Sequence, residues 1–318
     1  MEMSCLQANT VVIGAGLTGS LIARSLAAAG DSVAVVDKGR GPGGRLSVRR
    51  TDFGSFAHGC PLDAVAGWLE ALPPDQREAL DLVDAAHAGD GRVQGLPKHL
   101  LGRISTRFGA PVAAIERIDS RWTLRNAEGA VLAKAHRLVL TAPAPQSAAL
   151  LAALQPDWSN RLGALRIAPA WALLLAQDAA QVAPVWAAPA SIHVQMQDAL
   201  PGAELTGAAV RRWVVRLDDA LSAHLLEAEP SQVLQAVLRP LGLQPADFLH
   251  ASAHRWRYAR VLDPQPEPLW VCETTALAVC GDAFAGASAS EPGHADLARC
   301  AASAAALLAL WQPRTNLA

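Results

Sequence analysis

Apolar and polar positions along the chain change period several times, and each change marks an element. Thr10 to Ile13 is a short β-branched run that ends in Gly14, after which Leu17, Leu21, Ile22 and Leu26 recur at helical spacing until Gly30 closes the pattern as a C-terminal cap. Ser32 to Val36 is again β-branched and apolar. The order predicts β-α-β, and its right-handed crossover implies a parallel sheet. From Leu62 to Ala88 the period turns helical through Trp68, Leu69, Leu72, Leu80, Leu82 and Val83, with a break at Pro73-Pro74 and an end near Gly89-Asp90-Gly91. Leu96 to Leu101 predicts another short helix.

Val112 to Ile118, Trp122 to Arg125 and Val131 to Lys134 are separated by the turn formers Asp119-Ser120 and Asn126 to Gly129, which predicts a small antiparallel meander. Arg137 to Thr141 returns as a buried strand and stops at Pro143. From Trp171 to Trp270 strand-like runs, Trp171 to Leu175 and Trp213 to Leu217, alternate with one clear helix, Pro230 to Leu238, and this stretch is expected to form a second domain. Leu277 to Cys280 reads as a final buried strand with Gly281-Asp282 as its turn. Ala295 to Leu310 reads as an Ala-rich closing helix.

The first β-α-β carries the candidate chemistry. Gly14-Ala15-Gly16-Leu17-Thr18-Gly19 follows a predicted strand and opens a predicted helix, and Asp37 stands 23 positions after Gly14 at the end of the next strand. Gly14 permits the tight turn, Gly16 lets backbone approach a pyrophosphate, and Gly19 brings helix and strand close; the helix start at Leu17 and Thr18 offers free N–H groups to phosphate. Asp37 is suited to accept hydrogen bonds from ribose hydroxyls. A lone G-x-G-x-x-G says little, but this one sits in the context that gives it meaning. A glycine-rich turn without a ligand is the competing reading.

Lys38-Gly39-Arg40-Gly41-Pro42-Gly43-Gly44-Arg45 follows the ribose acid at once. A second glycine-rich basic loop there is unnecessary for NAD and suits a longer dinucleotide. With this loop the sequence resembles the flavin amine-oxidase superfamily, and within it the short renalase-like branch. Further segments carry the resemblance: Asp52-Phe53-Gly54-Ser55, Gly109-Ala110-Pro111-Val112, Thr141 to Gln146, His254 to Ala259, and Gly281-Asp282-Ala283-Phe284. It implies an α/β fold with a Rossmann-like FAD-binding domain and an inserted α+β substrate domain. The FAD domain is expected over residues 1–61, 95–150 and 271–318, and the substrate domain over 62–94 and 151–270.

The resemblance implies FAD as cofactor, held by Gly14, Gly16, Leu17, Thr18, Gly19, Asp37, Gly43, Gly44, Arg45, Gly281 and Asp282, with the main chain of a strand at Val112 beside the adenine. Lys38 and Arg40 read either as phosphate contacts or as ordinary solvated charges. Arg45 is the better cation, following two glycines where positive charge stabilises a flavin or pyrophosphate. Asp282 caps a turn or meets the cofactor. His58 is a candidate catalytic base, and Cys60 a more distant candidate for redox or covalent flavin chemistry. Trp256 and Tyr258 are expected to wall the pocket, together with Trp186 or Trp213. His294 is a candidate flavin contact in Glu291-Pro292-Gly293-His294-Ala295-Asp296-Leu297, a segment that departs from the helix start usual in the family.

Composition narrows the functions. Lys plus Arg is 27 against 29 Asp plus Glu, so no clustered positive charge points to nucleic acid. Five cysteines make no C-x-x-C pair, which argues against a zinc site or a disulfide framework and fits a reducing compartment. Neither a secretion signal nor a span of about 20 apolar residues is visible, and a cytoplasmic protein without metal or membrane partner is expected. With one dinucleotide fingerprint, electrons are expected to come from a small-molecule substrate, hydride passing to flavin N5 and O2 reoxidising the cofactor. Dihydronicotinamide isomers are the substrates the renalase resemblance implies; amines or another small cyclic substrate are the alternatives within the enzyme class, and a non-catalytic flavin-binding scaffold is the alternative outside it.

Overall fold

The computed structural model describes residues 5–72, 77–78, 95–197, 209–285 and 295–311. Its strands are β1 (Leu6–Gln7), β2 (Thr10–Ile13), β3 (Val33–Val36), β4 (Val48–Thr51), β5 (Gly54–Ala57), β6 (Ser105–Arg107), β7 (Ala114–Ile118), β8 (Arg121–Arg125), β9 (Val131–Ala135), β10 (Arg137–Leu140), β11 (Ile167–Asp178), β12 (Ile192–Met196), β13 (Val210–Leu217), β14 (His250–Val261), β15 (Trp270–Cys272) and β16 (Leu277–Val279). The helices are α1 (Leu17–Ala28), α2 (Leu62–Ala71), α3 (Gly95–Leu101), α4 (Ala144–Leu151), α5 (Pro156–Gly163), α6 (Asp219–His224), α7 (Pro230–Leu238) and α8 (Ala295–Trp311). Among the described residues no helix is long and apolar enough to cross a membrane.

Six strands form the central sheet in the order β15-β16-β10-β2-β3-β6, parallel except for the antiparallel edge β15. Its inner strands are apolar except at Thr10 and Arg137, which open β2 and β10, because both faces are covered. Val12, Val35, Val139 and Ala278 point to one side, where they meet Leu21 and Leu26 of α1, Leu100 of α3 and Leu307 of α8. Val11, Ile13, Val36, Leu138 and Leu140 point to the other, against Trp122 and Leu124 of the meander and Leu151 of α4. The meander β7-β8-β9 is extended by β1, which pairs in parallel with β9.

The second sheet, β12-β13-β11-β14, is antiparallel. Trp171, Leu173, Leu175, Trp213 and Val215 face α7 through Val233, Leu234, Val237 and Leu238. Ala172, Leu174, Ala176 and Val214 face the opposite way, onto Phe56 of the β4-β5 hairpin. The small side chains on that side leave room for the aromatic ring.

The predicted β-α-β, the short helix at 96–101, the meander and the helix Pro230–Leu238 are all present. Several expectations change. The strand expected to begin at Val112 begins at Ala114, since Pro111 has no N–H to pair and the first ladder-like bond is from Ala113 N to Arg125 O at 2.8 Å. The strand expected over Trp171 to Leu175 spans Ile167–Asp178, because Ala168 and the residues around Ala176 are too small to register as an apolar alternation. β12, β14 and the hairpin β4-β5 escaped the reading: each mixes Arg, His or Gln into a strand. Of the helical run expected from Leu62 to Ala88, α2 stands, and residues 73–76 and 79–88 lie outside the described residues.

Helix α1 is pressed onto the first loop at Gly19. A Cβ there would lie 2.0 Å from Gly14 O and 2.8 Å from Thr141 Oγ1. Gly19→Ala is therefore expected to lower the unfolding free energy by about 1–3 kcal/mol. Gly16→Ala, where a Cβ meets no atom within 4 Å, is expected to cost less than about 1 kcal/mol. Urea unfolding of both variants checks the contrast.

Candidate functional site

The site assembles at the C-terminal ends of β2, β3 and β10, where ligands bind open parallel sheets. Gly14 has φ +112, and a Cβ on it would fall 2.5 Å from Thr141 Oγ1. The Thr141 hydroxyl donates toward Ile13 O and Gly14 O at 3.0 and 3.2 Å, fixing the turn from β10. Helix α1 starts at Gly16 with no side chain capping its first amides, and the space where a Cβ would stand is open. A helix start that is uncapped and sterically bare is suited to an anion. Leu17 and Thr18 turn their side chains inward, Leu17 into the core and Thr18 Oγ1 onto Cys300 O at 3.3 Å.

Asp37 braces both glycine loops. Its Oδ2 accepts from Ala15 N and its Oδ1 from Gly39 N, each at 2.6 Å. Two charge-assisted bonds leave each carboxylate oxygen with a further lone pair. The second loop is clasped to the first: Gly43 N donates to Ala15 O at 2.9 Å, and a Cβ on Gly44 would stand 3.2 Å from the Gly16 Cα. Gly43 and Gly44 take φ +136 and +53, which favour glycine. Gly109 N donates to Gly39 O at 2.7 Å and Ala110 N to Asp37 O at 3.0 Å, so the segment before Val112 backs this loop as coil, not as a strand. Lys38 and Arg40 are exposed and pair with no carboxylate among the described residues.

Arg45 is the junction. It reaches Asp282 at 2.7 Å, Asp296 of α8 at 3.0 Å and the carbonyl of Ala259 on β14. That carbonyl is available because the β11-β14 register steps from Ala168↔Arg260 to Ala170↔Trp256, so β14 bulges out of the ladder there. Desolvation works against the guanidinium charge, but Asp282, Cys300 and Asp296 outweigh it, and the Arg45 pKa is raised. Its charge is thereby largely neutralised by carboxylates, and Asp282 serves as its partner. Gly281 has φ +134, its N donates to Ser303 Oγ at 3.0 Å, and the space beside its Cα is open.

Next to Arg45 the chain passes through Gly59. A Cβ here would lie 2.2 Å from Arg45 O and 2.8 Å from the Trp256 ring. Trp256 Nε1 donates to His58 O at 3.2 Å, and the His58 ring lies 4.4 Å from His254 and 5.2 Å from Trp256. His58 Nδ1 faces Phe56 O at 3.3 Å, which assigns the proton to Nδ1 and leaves Nε2 as acceptor. Burial, then the neighbouring His254, drives the His58 pKa down to about 3. Burial and Arg49 also lower those of His254 and His250. Burial pushes the Cys60 thiol up to about 11 against the pull of Arg45 and Arg216, so Cys60 stays a thiol at neutral pH.

Trp256 thus stands beside the glycine loops, whereas Trp186 and Trp213 pack with Phe248 on the α7 side of the sheet, away from them. The period-2 alternation of β13 puts Trp213 on the opposite face from Arg212 and Arg216. His294, with Glu291 to Gly293, lies outside the described residues. Sequence reasoning missed Gly59, Arg216 and Gln197. Gln197 brackets Ala57 through its N and O, both at 2.9 Å, and Arg216 Nη2 donates to Ala57 O at 2.8 Å. The legible signal for Arg216 was an arginine at each end of the run Arg212-Trp213-Val214-Val215-Arg216, four positions apart and so on one face of a strand.

Residues 12–86 match the family model described as an NAD(P)-binding Rossmann-like domain. Solved structures similar to the whole chain include an engineered putrescine oxidase, with TM-score 0.61 and 13% identity over 96% of this chain and 100% of that one. Cyclohexylamine oxidase from Brevibacterium oxydans has TM-score 0.55 and 14% identity, covering 94% and 99%. An oxidoreductase from Methanosarcina mazei has TM-score 0.58 and 14% identity, covering 96% and 100%. The chain therefore shares the mixed α/β fold of these two oxidases and this oxidoreductase, with a Rossmann-like domain over residues 12–86.

Two outcomes follow from this geometry. Arg45→Met leaves Asp282 and Asp296 facing each other, partly solvated, and is expected to cost about 2–3 kcal/mol. Combining it with Asp282→Asn is expected to cost less than the two single losses added together, by about 1–3 kcal/mol in a double-mutant cycle. For His58, the unfolded chain binds a proton near the ordinary 6.5 that the native state excludes until about 3. Its contribution to stability is full above the unfolded value and is lost as pH falls toward the folded one. His58→Phe is expected to flatten the decline in unfolding free energy between about pH 7 and about pH 4; an acid slope equal to the parent's contradicts the assignment.

Proposed function

We propose that the chain is an FAD-dependent oxidoreductase that takes hydride from a small substrate, with O2 as acceptor. The observation that carries this reading is the clasp of the second glycine loop on the first. Gly43 bonds to Ala15 and Gly44 lies against Gly16, a second loop that holding a pyrophosphate at the start of α1 does not by itself need. Fit to FAD is supported by the bare space at Gly16, Gly41 and Gly281, where side chains would otherwise stand.

In this reading the amides opening α1 bind the pyrophosphate, and the remaining lone pairs of Asp37 accept from the ribose. Gly43, Gly44 and Gly281 keep the path beside the cofactor free of side chains. Lys38 and Arg40 add positive charge at the phosphate end, and Val112 flanks the adenine. Arg45 orients the loop through Asp282 and Asp296 and does not act as a free cation. His58, Trp256 and Tyr258 form the substrate side, where the low basicity of His58 suits exclusion of water better than proton abstraction. FAD, when bound, supplies the hydride acceptor at N5.

The FAD-binding part comprises residues 1–61, 95–150 and 271–318, the substrate part 62–94 and 151–270. Dihydronicotinamide isomers are the substrates the renalase resemblance suggests, with other small amines second, and a cytoplasmic location accompanies this reading. The scaffold alternative rests on Glu291 to Leu297, whose first four residues lie outside the described ones; no described residue favours it.

The test is equilibrium titration of apo-protein with FAD, followed by flavin fluorescence. The parent is expected to bind FAD noncovalently and release all of it on heating. Asp37→Ala is expected to weaken binding by about 1.5–3 kcal/mol for each charge-assisted bond lost. Failure of the parent to bind FAD, or unchanged affinity in the variant, contradicts the reading.

A further inference from the structure

The side of the second sheet that meets the hairpin is cationic. Arg212 and Arg216 of β13 and His250 and His254 of β14 share it with Ala172, Leu174 and Ala176 of β11, and over Ala170–Ala176, Arg212–Arg216 and His250–Trp256 the sequence has no carboxylate. The hairpin brings Arg49, which sits opposite Phe56 in the β4-β5 register. Arg49 is exposed and meets no carboxylate or carbonyl among the described residues, yet its charge reaches His58, His250 and His254. Among the described residues the acids acting on this neighbourhood are Asp52, exposed at the hairpin turn and acting on His250, Asp63, acting on Cys60 and Arg216, and Asp296, which acts on Cys60 and is paired with Arg45.

Aromatic rings run along the same side. The His250 ring stacks on Phe56 with centroids 5.8 Å apart and lies 6.2 Å from Phe53. The chain of rings continues through His254 and His58 to Trp256, with centroids 4.4 to 5.2 Å apart, and ends against Gly59 beside the glycine loops. His254, Trp256, Phe53 and His250 are all half-buried, so ring faces or edges remain open to solvent.

We infer that this wall binds a planar ring carrying an anionic group, with the ring against the His254–Trp256 end and the anion on Arg49. The reading rests on the wall being the substrate side of the proposed FAD site. It predicts discrimination against cationic amines, for which the guanidinium of Arg49, backed by Arg212 and Arg216 on the sheet, is repulsive, and among the described residues no acid on the sheet face compensates. An exposed guanidinium can give a carboxylate two parallel bonds, and the T-shaped His254–Trp256 pair, at an interplanar angle of 66°, offers both a ring face and a ring edge against which another ring can pack.

Isothermal titration calorimetry of the purified protein with benzoate and with benzylamine, two probes that share a ring and differ in charge, tests this. Benzoate is expected to bind saturably at millimolar concentration and benzylamine about tenfold or more weakly. Arg49→Met is expected to weaken benzoate about tenfold or more, and Arg49→Lys less. Absence of saturable benzoate binding, preference for benzylamine, or parent-like affinity in a folded Arg49→Met variant overturns the inference. Flavin content is read from absorbance of the same samples, so the two readings fail separately. A colourless protein that binds benzoate through Arg49 overturns the flavin reading alone, and a yellow protein that prefers benzylamine overturns the anion site alone.

Discussion

One guanidinium holds the parts of the site in register. Arg45 leaves the second glycine loop, meets Asp282 at the end of β16 and Asp296 at the start of α8, and reaches across to Ala259 on β14 of the other sheet. Four segments far apart in sequence are thus fixed to a single planar group with five donors. The arrangement is demanding. Carboxylates so close together repel unless a cation lies between them, and the cation is stable in this half-buried place because they are there. The β14 bulge completes it, by releasing one carbonyl from ladder pairing at the place where the arginine needs an acceptor.

Around that junction glycine does two different jobs. At Gly19 and Gly59 it is needed because protein atoms already occupy the position of a Cβ. At Gly16 and Gly41 no protein atom stands there and φ is not positive, so neither packing nor backbone conformation explains the missing side chain, whereas Gly281 is accounted for by its φ of +134. Close packing therefore explains the first group, and the second is where the proposed cofactor would lie along the backbone. The side proposed to take substrate is built by other means, with a buried, neutral His58 imidazole and the Trp256 indole each bonded to a main-chain carbonyl and with arginines on the sheet behind them.

Much of the dinucleotide end was legible in the sequence because its constraints are local. A strand, a turn, a helix start and an acid at the next strand end succeed one another within 28 residues, from Thr10 to Asp37, and each residue type has its own mechanical reason. Arg45 was visible as a cation after two glycines, but its partners, 237 and 251 residues away, were not, and the sequence alone suggested a charge aimed at cofactor. The side proposed to take substrate was least legible. β14 alternates His250, Ser252, His254 and Trp256 with alanines and an arginine, which breaks the apolar alternation by which half-buried strands are recognised. Gly59 has no local signature at all; its role comes from a carbonyl and an indole that only the tertiary fold brings together.

Amide hydrogen exchange with and without FAD measures the central claim directly, because it reports each loop separately. The account predicts that FAD slows exchange together at Gly14 to Thr18, at Gly39 to Arg45 and at Gly281 to Asp282, whereas NAD slows it at the first of these alone. Protection confined to Gly14 to Thr18 with either ligand, or no protection by FAD at any of the three, would contradict it.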